Sequence, residues 1–254
     1  MPAVESLATA PHTTSFTGRA ELDRQFSHLL ELGYPDLLGI AAEALRAAVE
    51  PLADRVEALP TTSEVSPEDH IPFVLVVSTG LPLDRAAGLI RLKTKPAALM
   101  IPEDELPQYR PIEGVEVPES VAYLRTDIDT GTEFTDVRPE DALVAITGRE
   151  RTPLTISEGI ALVTQRPDLL RRNKCFSLLA SRRGGQKVPA IWISANAPKL
   201  GWCWDRNPHT WLGSASAAFR VAAGEPLASP GSGLPGPPDI SPRGCVRTHA
   251  GQAQ

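Results

Sequence analysis

The apolar run IPFVLVV at residues 71–77 constrains the fold of this chain more than any other stretch. A continuous apolar run of this length is typical of a strand that is buried on both faces, because a strand with one solvated face would alternate apolar and polar side chains. Residues 97–101 and 121–127 are predicted to be further strands of the same region. The triplet Asp129-Thr130-Gly131 then predicts a tight turn.

Helical patterns flank this strand region. Before it, apolar residues recur at spacings of three and four from Leu22 to Leu30, and Gly33 follows as a C-terminal cap. A second helix is predicted from residue 35 to about residue 52. These two helices form the predicted N-terminal helical pair.

A second helical pair and a hairpin are predicted after the strands. Pro139 suits a first helical position, and Thr155-x-x-Glu158 is a capping box ahead of an apolar stripe. The segments KCFSLLAS and VPAIWIS then flank RRGGQK, which predicts a hairpin with Gly184-Gly185 at its turn. The sequence therefore predicts an α+β fold, in which an N-terminal helical pair packs on a mixed or antiparallel sheet and a second helical pair precedes a C-terminal β-hairpin.

The predicted domain organisation is a single α+β domain at residues 18–221 between two disordered ends. Residues 1–17 are small, polar and aperiodic, and residues 222–254 are rich in Pro, Gly and Ser. The polar stretch 60–70 is predicted to be a linker.

Composition excludes several classes of protein. A net charge of -6 argues against nucleic-acid binding, which needs a basic surface. No stretch approaches the roughly 18–20 apolar residues of a membrane span, and the N-terminus lacks the pattern of a secretory signal. Three widely spaced cysteines, Cys175, Cys203 and Cys245, favour a reduced cytoplasmic setting over a disulfide framework. The sequence leaves the oligomeric state open.

The segment GWCWDRNPHTWLG at 201–213 is the strongest candidate for a functional site, because it holds three of the four tryptophans of the chain. In an extended backbone, Trp202 and Trp204 point to one face and Cys203 to the other. Aromatic walls with a few polar groups are typical of a small-molecule pocket. Tryptophans are also highly buried on average, so a packed core is the competing interpretation of the same segment.

One functional hypothesis is a cofactor-independent enzyme that acts on a small metabolite by hydrolysis, elimination or cyclisation. Its pocket would be shaped by Trp202, Trp204 and Trp211. His209 would be the general acid or base, Asp205 would orient it, and Asn207 would donate a hydrogen bond to a developing oxyanion. Lys174 and Arg183 would neutralise an acidic group of the substrate. The alternative is a non-catalytic module that binds a small molecule or a protein through its tryptophans.

No metal or cofactor is expected. Cys203, Asp205 and His209 are too few ligands at unsuitable spacings for a zinc site, and Cys175 has no sequence signal that would bring it to them. The chain has no phosphate-binding P-loop and no GxGxxG motif. Asp129-Thr130-Gly131 matches the aspartic-protease triplet, but such an enzyme needs two of these aspartates, so a turn is the better interpretation.

The segments ELGYPDL, VRPEDAL, RTPLTISEGIALVTQ, NKCFSLLASRRGGQKVPAIWIS and PKLGWCWDRNPHTWLGSAS resemble an uncharacterised actinobacterial domain-of-unknown-function family. The resemblance covers about residues 20–221 and is densest after residue 150. It implies an intracellular actinobacterial protein, and it implies no reaction, cofactor or catalytic residue.

Overall fold

The computed structural model describes residues 18–59 and 68–224. The disordered ends predicted at 1–17 and 222–254 lie outside these residues, except for 222–224, and so does most of the predicted linker at 60–70. The described part consists of helices packed against two main sheets.

The N-terminal region forms four short helices, where the sequence predicts two. The first is α1 at Gly18–Glu31, and Gly33 follows it with φ 76°. The predicted helix at 35–52 is instead two helices separated at Gly39, whose φ of 66° ends the first, and a 3-10 turn at Glu50–Leu52 leads from the second into a third helix. These three helices are α2 at Tyr34–Leu38, α3 at Ala42–Val49 and α4 at Ala53–Glu57.

Three further helices lie among the strands: α5 at Leu83–Leu89, α6 at Pro139–Gly148 and α7 at Ile156–Gln165. The thirteen strands of the described residues, in chain order, are β1 His70–Val77, β2 Arg91–Leu92, β3 Lys95–Pro96, β4 Ala98–Leu99, β5 Arg110–Pro111, β6 Ala122–Asp129, β7 Thr152–Pro153, β8 Cys175–Ser177, β9 Ser181–Arg182, β10 Lys187–Ser194, β11 Ala197–Trp204, β12 Leu212–Ser214 and β13 Ser216–Ala222.

The first sheet has the order β1-β6-β13-β7 and is antiparallel throughout. The second has the order β12-β8-β10-β11-β4, in which β12 and β4 pair in parallel with their neighbours. The predicted α+β class with a mixed or antiparallel sheet and a second helical pair is therefore confirmed. None of the described helices is long and apolar enough to cross a membrane.

Strand β1 contains the apolar run IPFVLVV and is, as predicted, almost wholly buried. It is nevertheless an edge strand, and the side chain of Gln25 in α1 completes its outer edge. The Gln25 Oε1 atom accepts a hydrogen bond from the Leu75 backbone N–H at 2.7 Å, and Nε2 donates to the Phe73 carbonyl at 3.3 Å. One amide thus satisfies two backbone groups that a neighbouring strand would otherwise bind.

The long C-terminal hairpin consists of β10 and β11, which pair from Lys187–Trp204 to Ser194–Ala197. Its turn is Ala195-Asn196, with φ values of 51° and 59°, as a two-residue hairpin turn requires. The sequence places the turn at Gly184-Gly185. Those glycines do form a turn, but Ser181–Arg182 before them pairs with β5, and β8 meets β10 at only two positions. The predicted antiparallel pairing of KCFSLLAS with VPAIWIS is nevertheless present in β8 and β10. The sequence analysis misses the additional hairpin of β10 and β11, because its turn has alanine where sequence signals rely on Gly or Asn-Gly.

The triplet Asp129-Thr130-Gly131 forms the predicted turn. The Asp129 carboxylate accepts a hydrogen bond from the Gly131 N–H at 2.7 Å, and Gly131 has φ 71°. Gly131 and Gly213 also bring two backbone segments together so closely that a Cβ on either residue would collide with the other segment. The triplet therefore joins the two sheets.

Helix α7 is the centre of the domain, because every residue in it except Ser157 is buried. The predicted capping box is present: the Thr155 hydroxyl accepts from the Glu158 N–H, and the Glu158 carboxylate accepts from the Thr155 N–H at 2.8 Å. Gly159 faces Leu178, whose side chain occupies the space that a Cβ would need.

The carboxylate of Glu158 also binds two arginines of the first sheet. It lies 2.7 Å from Nε of Arg220 on β13 and 3.3 Å from Nε of Arg125 on β6, and it accepts a hydrogen bond from the Tyr123 hydroxyl. The side chains of Arg125 and Glu158 are both 0% exposed. Burial would raise the pKa of Glu158, but Arg220 and Arg125 outweigh burial and lower it. Helix α7 is thus attached to the sheet by ionic contacts as well as apolar ones.

We expect Glu158→Gln to lower the free energy of unfolding by about 3–5 kcal/mol, because it leaves two arginines without their buried counter-charge. Glutamine preserves the capping box, so the loss would report on the ionic contacts. Equilibrium unfolding in urea measures it. Glu133→Gln is the matched control, since Glu133 pairs with Arg149 at the surface, where the expected loss is about 0–1 kcal/mol. Equal losses in the two variants would contradict the prediction.

Candidate functional site

The tryptophans of the segment 201–213 divide between the two faces of the second sheet. Trp202 and Trp204 lie on one face of β11, with ring centroids 5.1 Å apart and an interplanar angle of 75°. Trp202 is half-buried and Trp204 is 48% exposed. Lys187, which faces Trp204 across the hairpin, places its Nζ 4.2 Å from the centre of the Trp202 ring. These three residues form a partly exposed aromatic and cationic surface, called the Trp202–Trp204 surface below.

Trp211 belongs to a different aromatic group. Its ring lies 6.2 Å from that of Trp192 in an edge-to-face arrangement and 5.2 Å from the imidazole of His209. Trp192 packs over Gly201, on the face of β11 opposite to Trp202. The structure therefore does not bring Trp211 onto the same wall as Trp202 and Trp204.

The predicted partnership of Asp205 and His209 is not among the hydrogen bonds of the described residues. Asp205 instead forms an ion pair with Arg182, whose Nη2 lies 3.2 Å from Oδ1 of Asp205. The Asp205 N–H donates to the Gln186 carbonyl, so its backbone continues the hairpin. Burial lowers the pKa of Arg182.

His209 is held mainly through its backbone. Its carbonyl accepts a hydrogen bond from the Asp136 N–H at 2.9 Å, and its ring packs on Trp211. Burial lowers the pKa of His209, which favours the neutral imidazole. Asn207 is exposed, and its N–H closes a turn onto the Trp204 carbonyl at 3.1 Å.

The two predicted cationic residues lie in separate ion pairs. Lys174 lies 3.3 Å from Asp69, and Arg183 lies 3.1 Å from Glu105. The basic residues around β8 and β10 thus do not form one clamp, because acidic side chains neutralise most of them.

Cys203 lies on the face of β11 opposite to the tryptophan pair, as the alternation predicts. It is buried, with its sulfur 3.7 Å from the Ser177 hydroxyl. Burial raises the pKa of Cys203 and of Cys175. In the part of the chain that the structure describes, no group of three His, Cys, Asp or Glu side chains is placed to hold a metal ion.

A polar cluster that the sequence does not reveal lies at one end of the first sheet. Nε2 of His70, on β1, lies 2.5 Å from the carboxylate of Asp127 on β6, and Arg151 donates to the same carboxylate at 2.6 Å. Arg151 also donates to the Ser216 hydroxyl. Asp127 has φ 51° in the middle of a strand, a conformation that few side chains other than Asn, Asp and His adopt. His70 and Asp127 are 57 positions apart, so only knowledge of the strand pairing could have joined them.

We expect the free energy of unfolding of the Asp127→Asn variant to fall less than that of the wild type as the pH is lowered. Burial would raise the pKa of Asp127, but His70 and Arg151 outweigh it, so the folded pKa lies below the ordinary value of 3.8. Because the pKa of Asp127 is lower in the folded state than in the unfolded state, its carboxylate stabilises the fold at pH values above the unfolded-state pKa. This stabilisation is lost as the pH falls through the folded-state pKa. Urea unfolding between about pH 3 and pH 6 measures the difference, and asparagine tolerates the positive φ. The prediction is wrong if wild type and variant lose stability in parallel.

Comparison with known proteins identifies a family without identifying a reaction. The chain matches no curated protein and no solved structure. Residues 28–223 match the model of a family of unknown function (DUF5701), and this match includes both main sheets and the segment 201–213. The chain therefore belongs to DUF5701, a family of unknown function.

Proposed function

We propose that this protein is a non-catalytic interaction module that binds a partner protein through the Trp202–Trp204 surface. The observation that carries the proposal is the 48% exposure of Trp204 at the end of a well-paired strand. Large exposed aromatic side chains on a rigid element are typical of the residues that supply most of the binding energy in protein interfaces.

The geometry of this surface favours recognition over catalysis. Trp202 holds the Trp204 ring edge-to-face, so little side-chain freedom would be lost on binding. Lys187 lies over Trp202 and adds a positive charge beside the rings. An apolar or aromatic side chain next to a carboxylate is the partner chemistry that fits this combination. The carboxylate of Asp205 is already paired with Arg182, so it does not neutralise the positive charge of Lys187.

A second candidate function is the cofactor-independent enzyme acting on a small metabolite. The observation in its favour is His209, whose lowered pKa keeps the imidazole neutral and able to accept a proton near neutral pH. In this version His209 would act beside Trp211 and Trp192, without Asp205 as its orienting partner. The reaction type, the cytoplasmic setting and the actinobacterial origin stay predictions from the sequence.

Selection from a phage-displayed random peptide library tests the interaction module. Immobilised wild-type protein is expected to enrich peptides that combine an aromatic or apolar residue with Asp or Glu. Trp204→Ala should weaken their binding at least about tenfold, since central tryptophans commonly contribute 2 kcal/mol or more. Val144→Ala is the control, because Val144 is 71% exposed but lies on α6. Peptides that bind wild type and Trp204→Ala equally would contradict the proposal.

Turnover of a library of small carboxylic acids tests the enzyme. If His209 is its acid or base, His209→Ala should lower turnover at least about 100-fold, while Trp204→Ala leaves it nearly unchanged. Activity that survives in His209→Ala would remove this residue from the mechanism, and activity lost only in Trp204→Ala would assign the reaction to the other surface.

A further inference from the structure

The outer edge of β11, on the side away from β10, is only partly covered by another strand. Strand β4 pairs with it in parallel at Lys199 and Leu200, and no other strand of the described residues pairs with β11 on this side. The Met100 N–H donates to the Leu200 carbonyl at 2.7 Å, after which the chain turns away and buries Ile101 in the hydrophobic core. The last residues of β11, 201–204, therefore have no strand beside them on the outer side.

The hydrogen bonds of the hairpin determine which backbone groups face this open side. The Asp205 N–H donates to the Gln186 carbonyl at 2.8 Å, so these two residues form a hydrogen-bonded pair. Hydrogen-bonded and non-hydrogen-bonded pairs alternate along an antiparallel pair of strands. Cys203 therefore also bonds to β10, whereas Trp202 and Trp204 point their backbone groups outward.

Two further contacts agree with this direction. Pro189, which lies opposite Trp202, has no N–H, and its carbonyl accepts a hydrogen bond at 2.8 Å from Leu178, on the side away from β11. The Trp204 carbonyl accepts from the Asn207 N–H in the turn that follows β11. Three outward groups are left without a hydrogen-bond partner among the described residues: the N–H and the carbonyl of Trp202 and the N–H of Trp204.

Exposed side chains lie beside the open edge on both faces of the sheet. Trp204 is 48% exposed on one face. Met100 is 54% exposed on the other, where its Cβ lies 3.1 Å from the position that a Cβ on Gly201 would occupy. Lys187 places its charge over Trp202, and within the part of the chain that the structure describes it forms no ion pair. The edge therefore combines free backbone groups, an aromatic face and a positive charge.

We propose that the partner protein binds as an extended peptide segment that adds a strand to the outer edge of β11 at residues 202–204. This inference rests on the proposed interaction module and specifies how it binds. An added strand of either direction uses all three free backbone groups, and its side chains alternate between the two faces. The peptide residues opposite Trp202 and Trp204 lie on the face of the rings and of Lys187. The segment that fits therefore carries an aromatic or apolar residue and a carboxylate two positions apart.

Amide hydrogen exchange of the full chain, followed by NMR without any ligand, tests whether the edge is open. We expect the amides of Trp202 and Trp204 to exchange at least about 100-fold faster than that of Cys203, because only Cys203 bonds to β10. The Gly201 amide, which also faces β10, is the second protected reference. Equal protection of all four amides would overturn strand addition and would leave the proposed interaction module standing.

A peptide enriched by the phage selection provides the second test. Versions of it that each carry one N-methylated backbone amide are titrated against the wild-type protein. An N-methyl group removes a donor and blocks the approach of a neighbouring strand. We therefore expect affinity losses of at least about tenfold at alternate residues, whose N–H groups face β11, and small changes at the residues between them. The amides of Trp202 and Trp204 should become protected from exchange when the unmodified peptide binds.

The outcomes separate strand addition from the interaction module itself. Alternating losses together with new protection of the Trp202 and Trp204 amides support strand addition. Peptides whose binding depends on Trp204 but whose N-methylated versions show no alternation contradict strand addition alone. A selection that enriches no peptide contradicts both proposals. Dimerisation of the free protein that protects the same two amides would assign the edge to a second copy of this chain and would overturn the peptide proposal.

Discussion

The carboxylate of Glu158 is the interaction on which the arrangement of this domain depends. It caps the first turn of α7 and binds arginines on two neighbouring strands, β6 and β13. Apolar contacts alone constrain the orientation of a buried helix less than directional contacts do, because hydrophobic contact has no preferred direction. The ionic and hydrogen-bonded contacts of Glu158 have direction, and we infer that they set the depth and rotation of α7 between the two sheets. On the side of the second sheet, Gly159 of α7 packs against Leu178, which follows β8.

The second sheet separates two surfaces that the sequence presents as one. Along β11 the side chains alternate, so Trp202 and Trp204 face away from Trp192 and Trp211. The tryptophans of the segment 201–213 therefore belong to two different edge-to-face pairs, Trp202–Trp204 and Trp192–Trp211. The two pairs differ in their exposure and in their polar neighbours. The Trp202–Trp204 surface and the imidazole of His209 are therefore separate features, and different variants test the functions proposed for them.

The sequence predicted what local periodicity and capping determine. The apolar run at 71–77, the capping box at Thr155 and the turn at Asp129 all appear where they were expected, and the α+β class follows from them. It could not predict which side chains meet across strands. Asp205 lies close to His209 in sequence but binds Arg182, while His70 binds Asp127 from a neighbouring strand. The additional hairpin turn at Ala195-Asn196 is not predicted, because Ala195 adopts a positive φ that its residue type disfavours.

The amide of Gln25 has a consequence for how the chain behaves before it is fully folded. Strand β1 is the most apolar segment of the first sheet and lies at its edge, and Gln25 on α1 occupies the hydrogen-bonding groups there. The carbonyl of Gln25 in turn accepts a hydrogen bond from Gln165 at the end of α7. Until α1 is docked, the part of β1 that follows Pro72, residues 73–77, presents unpaired backbone groups to which a strand of another molecule can add. Docking of α1 therefore covers two of the backbone groups through which β1 could otherwise pair with a strand of another molecule.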